Sequence, residues 1–191
     1  KDGNLLSHGL VEKGDARAAL CGCAVVVEGE FTTPMQDHVF LEPANGTART
    51  TRNGGMEMVV STQAPFRDRF EIAHALGLDP MRVRVRAPYL GGGFGGKDGA
   101  TVQCLLALAA LNAGGRWVKM CLSREENFLS GYKRHGARIR MRLGATRDGR
   151  LQALDSVMHL DSGPYAHLGT EIMALALEHA GGPYDIPHAR A

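Results

Sequence analysis

Gly91-Gly92-Gly93-Phe94-Gly95-Gly96-Lys97-Asp98 packs five glycines and one phenylalanine into its first six positions. Glycine loses more conformational freedom on folding than any other residue, so this density implies a backbone forced to positive φ or pressed against something. A ligand lying on main-chain N–H groups makes that demand. The flanks decide the fold. Before the loop, Met81-Arg82-Val83-Arg84-Val85-Arg86 alternates apolar and basic residues, the period of a strand with one apolar and one arginine face. After it, residues 99–113 predict a nearly all-apolar helix carrying Val102, Leu105, Leu106, Leu108 and Leu111, a composition that implies deep burial.

Moving outward, residues 15–20 give a short helix with Asp15 at its cap, leading into a strand over 23–31. Residues 46–51 and 56–62 flank Asn53-Gly54, a strong hairpin signal. Pro65 opens a helix whose apolar face is expected from Phe66, Phe70, Ala73 and Leu76 and which Gly77 stops. A strand follows over 117–122, then a second hairpin through Asp148-Gly149 joining 137–146 to 150–161, and a last helix over 170–180. Strands and helices are interspersed and hairpins are prominent, which predicts an α+β fold with mixed or antiparallel sheets rather than a doubly wound parallel sheet.

The 191 residues suffice for one core, with 44% apolar and 22% charged content, ordinary for a soluble domain. A net charge of +2 argues against nucleic acid or an anionic membrane surface as partner. No apolar run is long enough to span a bilayer, and no signal-peptide pattern opens the chain. Four cysteines do not make a disulfide framework at this length, which points to the cytoplasm. Cys21-Gly22-Cys23 has no second pair at zinc-site spacing and reads as small apolar packing. The chain opens at Lys1 without Met and ends at Ala191 without a tail, as if cut from a longer polypeptide.

Gly91, Gly93 and Gly96 satisfy G-x-G-x-x-G between a strand and a helix, the dinucleotide-binding context. The preceding strand, however, carries three arginines, whereas buried parallel strands are continuously apolar. The first acids after Asp98 are Glu125 and Glu126, too far on to meet a ribose. Gly91-x-x-x-x-Gly96-Lys97 also resembles a phosphate loop, but Asp98 stands where Ser or Thr should bind magnesium and would repel the phosphates.

A third reading covers the whole chain. Val59-Val60-Ser61-Thr62-Gln63 with the glycine loop, His38-Val39-Phe40-Leu41-Glu42-Pro43, the opening Lys13-Gly14-Asp15 and Val26-Val27-Glu28-Gly29-Glu30, and Tyr184-x-Ile186-Pro187 resemble, in order, the large subunit of molybdenum hydroxylases, the xanthine dehydrogenase and aldehyde oxidase family. The resemblance implies a lead-in segment over 1–37 and the N-terminal part of a molybdopterin-binding domain over 38–191. It implies an oxidoreductase that hydroxylates an aldehyde or an N-heteroaromatic, with a molybdopterin-type cofactor here and iron–sulfur clusters, with or without FAD, on other domains or subunits. Its partners are then the rest of the large subunit and a small-molecule substrate.

By the same resemblance Gln63 hydrogen-bonds an oxygen ligand of the metal, and Gly92, Gly93, Phe94 and Gly95 line the cofactor, with Phe94 shielding it from water. Asp98 stands where purine-oxidising members carry Glu, and equally suits a cap of the following helix. Arg134 aligns with a substrate-steadying arginine, although neighbouring Lys133 leaves a solvated basic turn as the other reading. The family's glutamate base lies downstream of the matched region, so no catalytic residue and no metal ligand is assigned in this chain. A non-catalytic binding or assembly module that keeps the loop is the alternative.

Overall fold

The computed structural model describes residues 3–191; Lys1 and Asp2, at the head of the predicted lead-in, lie outside the described residues. Along the chain run β1 (Glu12–Lys13), α1 (Ala16–Gly22), β2 (Val25–Thr33), β3 (Gln36–Asp37), β4 (Asn45–Thr50), β5 (Met56–Val60), α2 (Pro65–Leu76), β6 (Val83–Arg86), α3 (Gln103–Leu111) and β7 (Val118–Cys121). They are followed by α4 (Arg124–Ser130), β8 (Lys133–Arg134), β9 (Gly136–Ala145), β10 (Leu151–Asp161), α5 (Gly169–Glu178) and β11 (His188–Arg190). The α+β class predicted from the sequence is the class observed. None of the described helices is long and apolar enough to cross a membrane.

The chain divides into two compact units, Lys1–Gln36 with His135–Ala191, and Asp37–Arg134. The first is built on a five-stranded sheet in the order β1-β11-β10-β9-β2. The β9–β10 hairpin turns at Gly149, whose φ of 87° is the left-handed geometry that Asp-Gly supplies. Asp15 caps α1 by accepting from the Ala18 N–H at 2.9 Å, as the sequence predicts. Cys23 packs so closely on Gly144 that a Cβ there would lie 3.1 Å from the Cys23 Cβ. All four cysteines are free, and the Cys21 and Cys23 thiols bond to the carbonyls of Arg17 and Ala19.

In the second unit the sheet order is β6-β5-β4-β7, with β4 antiparallel to both β5 and β7, and β6 parallel to β5. Its core packs Ala48, Met56, Met58, Val60 and Val83 of the sheet against Ile72, Ala73, Leu106, Ala107 and Ala110 of α2 and α3. Two helix faces differ from expectation. Phe66 and Phe70 of α2 are exposed, and the buried face is Asp68, Ile72 and Ala73, because small and branched side chains fit against the sheet while Asp68 bonds Gln103. The predicted all-buried helix is shorter and two-sided: Leu106, Ala107 and Ala110 are buried, while Leu105, Leu108 and Leu111 face outward. The arginine strand also starts later than predicted, because Pro80 opens a 3₁₀ turn over Pro80–Arg82 that Asp79 caps through the Met81 N–H at 2.8 Å.

Strand direction explains where the motifs meet. Parallel β5 and β6 end on the same edge of the sheet. Gly46 of β4 pairs with Val60 of β5, and Asn45 with Cys121 of β7, so β4 starts and β7 ends at that same edge. Segments 38–44, 61–64, 87–102 and 122–134 are thereby gathered at one end of the second unit.

Candidate functional site

Gln63, three residues past the end of β5 in a turn that Pro65 closes into α2, sends its side chain under the glycine loop. Its Oε1 accepts from the N–H groups of Gly95 at 3.0 Å and Lys97 at 3.2 Å, and its own N–H donates to the Lys97 carbonyl at 2.9 Å. With Oε1 so occupied the Nε2 group is left over, and no partner for it exists among the described residues of this exposed side chain. Gly93 is the closest approach: a Cβ there would overlap Gln63 Oε1 and stand 2.7 Å from Cδ. Gly96 is also tight, its added Cβ falling 2.7 Å from the Phe40 ring and 2.8 Å from His38 Nδ1.

Three positive-φ residues shape the loop: Gly92 and Gly95, both at 93°, and Phe94 at 54°. Left-handed backbone at a phenylalanine is uncommon and persists where the surroundings over-determine it. Its ring is exposed, so in this chain it covers the loop without itself being covered. The N–H groups of Gly92, Gly93 and Phe94 have no hydrogen-bond partner among the described residues.

Both ends of the loop converge on Glu42. Its Oε2 accepts from the Gly91 N–H at 2.9 Å, the Ser61 hydroxyl at 2.8 Å and the Lys97 ammonium at 3.0 Å, and Oε1 accepts from Asn45 at 3.1 Å. Burial alone would raise the Glu42 pKa; these donors outweigh it and bring the pKa down to about 2. The Lys97 side chain is 0% exposed and its ammonium sits 4.5 Å from the Phe40 ring centroid. Burial pulls the Lys97 pKa down against the upward pull of Glu42. Arg124 of α4 fastens the preceding segment by donating to the carbonyls of Phe40 at 2.6 Å and Leu41 at 2.9 Å. Asn127 Oδ1 accepts from the Ala44 N–H at 3.0 Å.

Asp98 does not cap the helix after the loop, whose N-cap is Val102. Its carboxylate instead accepts from Arg67 of α2 at 3.1 Å. Arg134, at the end of the unit on β8, is exposed; its charge, after burial, is the next largest influence lowering the pKa of His38, which lies against Gly95 and Gly96. The sequence-predicted Gln63, Gly92, Gly93, Phe94, Gly95 and Asp98 are therefore one constellation, with Arg134 bordering it through His38. Lys97 and Arg67 were not singled out as site residues. The partners of Lys97 are 55 positions away at Glu42 and further still at Phe40, a pairing that no local spacing announces.

The donor set can be tested against an oxygen-rich, anionic group. Three unpartnered N–H groups, a spare amide Nε2 and a glycine surface that side chains would fill suit such a group, since successive main-chain N–H groups make an anion-receiving concavity. Two concavities, lined by Ala19, Cys23, Arg147 and His188 and by Glu12, Asp15 and Arg190, belong to the first unit and contain none of the predicted site residues. No set of three or more His, Cys, Asp or Glu is placed to hold a metal ion among the described residues.

The profile of the molybdopterin cofactor-binding domain matches residues 2–191. The chain belongs to the molybdopterin cofactor-binding domain family. It is 41% identical over 180 residues to the nicotinate dehydrogenase large molybdopterin subunit of Eubacterium barkeri, covering 94% of this chain and 42% of that one. To a probable xanthine dehydrogenase subunit of Bacillus subtilis (strain 168) it is 36% identical over 190 residues, all of this chain and 25% of the relative. Among solved structures, the aldehyde oxidoreductase from Desulfovibrio gigas superposes with a TM-score of 0.87 at 28% identity, over 95% of this molybdopterin-binding chain and 20% of that one. The chain thus spans less than half the length of each of these relatives.

Proposed function

We propose that this chain is one wall of the molybdenum–pterin site in a larger molybdenum-dependent hydroxylase acting on an aldehyde or an N-heteroaromatic. The observation that carries the reading is the loop itself: unpartnered N–H groups at Gly92, Gly93 and Phe94 beside the spare Nε2 of Gln63, all at one end of the sheet. In this reading Gln63 would help hold the cofactor by donating from Nε2 to one of its oxygens, an uncharged donor that would not compete for the metal. Gly92, Gly93 and Gly95 bring main chain to the cofactor, and Phe94 excludes water from it. Bound there, the cofactor would supply two-electron oxidation of the substrate, with water as the source of the oxygen.

Asp98 and Arg134 face the substrate in this scheme. Asp98 is steadied by Arg67 and is one methylene shorter than Glu, which favours a substrate other than a purine. The general base belongs to another part of the polypeptide, and iron–sulfur clusters, with or without a flavin, carry the electrons away on other domains or subunits. Four free thiols suit a reducing compartment, and we place the protein in the cytoplasm.

The test is the mass and molybdenum content of the natural polypeptide, captured with an antibody against this segment. A product several times larger with one molybdenum per chain is expected. A product of this size without metal would overturn the reading in favour of a non-catalytic binding or assembly module.

A further inference from the structure

We infer that Glu42 and Lys97 are positioning residues that hold the glycine loop in its receiving shape before any cofactor arrives, an inference that rests on the loop being the cofactor cradle. Lysine is almost never fully buried unless paired, yet the Lys97 side chain is 0% exposed. Its ammonium meets Glu42 Oε2 at 3.0 Å, and the same oxygen takes the Gly91 N–H at 2.9 Å. The Glu42 N–H returns to the Gly91 carbonyl at 3.0 Å. One carboxylate oxygen therefore joins the first residue of the loop to the residue that ends its glycine run. Gln63 Oε1 ties the middle by accepting from Gly95 and Lys97.

Between those ties only the segment bearing the unpartnered N–H groups is left to arch. Phe94, at a φ of 54°, lies within it. A strained non-glycine backbone holds only where its surroundings fix it, and Glu42, Gln63 and Lys97 are groups placed to do so. Closing the loop in advance removes the ordering entropy that a ligand would otherwise have to overcome.

The experiment is site-resolved amide hydrogen exchange on the natural polypeptide carrying this segment, freed of molybdenum and pterin. In the parent, the amides of Gly91, Gly95 and Lys97 are expected to be protected without cofactor. Lys97→Met should speed exchange at positions 95 and 97 at least tenfold while the amides pairing β4 with β5 keep their parent rates. Glu42→Gln should release Gly91 as well.

Should Glu42→Gln fail to fold, with a buried ammonium left unpaired, Lys97→Met decides alone. That variant leaves the carboxylate with Gly91, Asn45 and Ser61. Unprotected loop amides in the cofactor-free parent would overturn the inference, and so would a Lys97→Met loop as slow as the parent's. Because exchange is read without cofactor, this failure is separable from that of the cradle reading, which fails on molybdenum content.

Discussion

Replacing Gly93 with alanine tests the site with one methyl group. The φ of Gly93 lies outside the left-handed region, so the backbone accepts the change and the effect comes from contact alone. The new Cβ would overlap Gln63 Oε1 and stand 2.7 Å from Cδ and 3.0 Å from Cγ. Reaching ordinary carbon–carbon contact requires the amide to retreat by roughly 0.8 Å. Its bonds from the Gly95 and Lys97 N–H groups start at 3.0 and 3.2 Å, and such a shift takes both past hydrogen-bonding range. Each is worth about 1 kcal/mol net, so about 2 kcal/mol of loop organisation is lost, equivalent to about thirtyfold in the binding constant of whatever the loop holds. The assay is molybdenum and pterin bound per polypeptide, titrated in the natural protein, with circular dichroism confirming that the fold is unchanged. Parent-level affinity in Gly93→Ala would refute the claim that the Gln63–loop geometry sets cofactor binding.

Three further outcomes are expected. Gln63→Glu keeps an acceptor for Gly95 and Lys97 but removes the Nε2 donor, so turnover should fall about 10–100-fold in a loop that stays formed; an unchanged rate would remove Gln63 from the chemistry. Asp98→Ala removes the carboxylate proposed to face the substrate and should raise KM about tenfold at constant molybdenum content, as the loss of one charge-assisted substrate contact would; an unaltered KM would leave Asp98 as surface paired with Arg67. Asp68 is 0% exposed and burial raises its pKa, so the folded state holds the proton more tightly than the unfolded one and parent stability declines as pH rises from about 4 through the raised value. An asparagine side chain has no such proton to lose, so Asp68→Asn should gain in thermal midpoint relative to the parent as pH rises above about 4; a pH-independent difference would contradict the assignment.

Hairpins and caps were legible because they are written in adjacent residues: Asn53-Gly54 and Asp148-Gly149 turn where expected, and Asp15 caps α1. The glycine loop was legible because so dense a run has few other uses, and close approach is what Gly93 and Gly96 show. Helix faces were read less well. Phe66 and Phe70 are the largest apolar groups on α2, yet the sheet takes Ile72 and Ala73, since fit against a flat β surface outranks hydrophobic area. On α3 the apolar residues encircle the helix, so periodicity could not say which side faces the sheet. The Glu42–Lys97 clasp was beyond reach for another reason. Its members are brought together by strand direction, which follows from β6 pairing parallel to β5 and from no local pattern.

The division of the chain also sets an order of assembly. The sheet of the first unit pairs Val25 with Ala145 and Thr33 with Ala137, so β2 leaves the ribosome long before its neighbour in that sheet, β9, exists. Everything that shapes the glycine loop, from His38 to Asn127, lies within the uninterrupted stretch Asp37–Arg134, whose β4–β5 hairpin closes locally. Local contacts form ahead of distant ones because loop closure is entropically costly. During synthesis the cradle can therefore take shape while β2, with its apolar Val25, Val27 and Phe31, still waits as an unpaired strand. Until β9 arrives, an unpaired apolar strand of that kind is open to association with other chains.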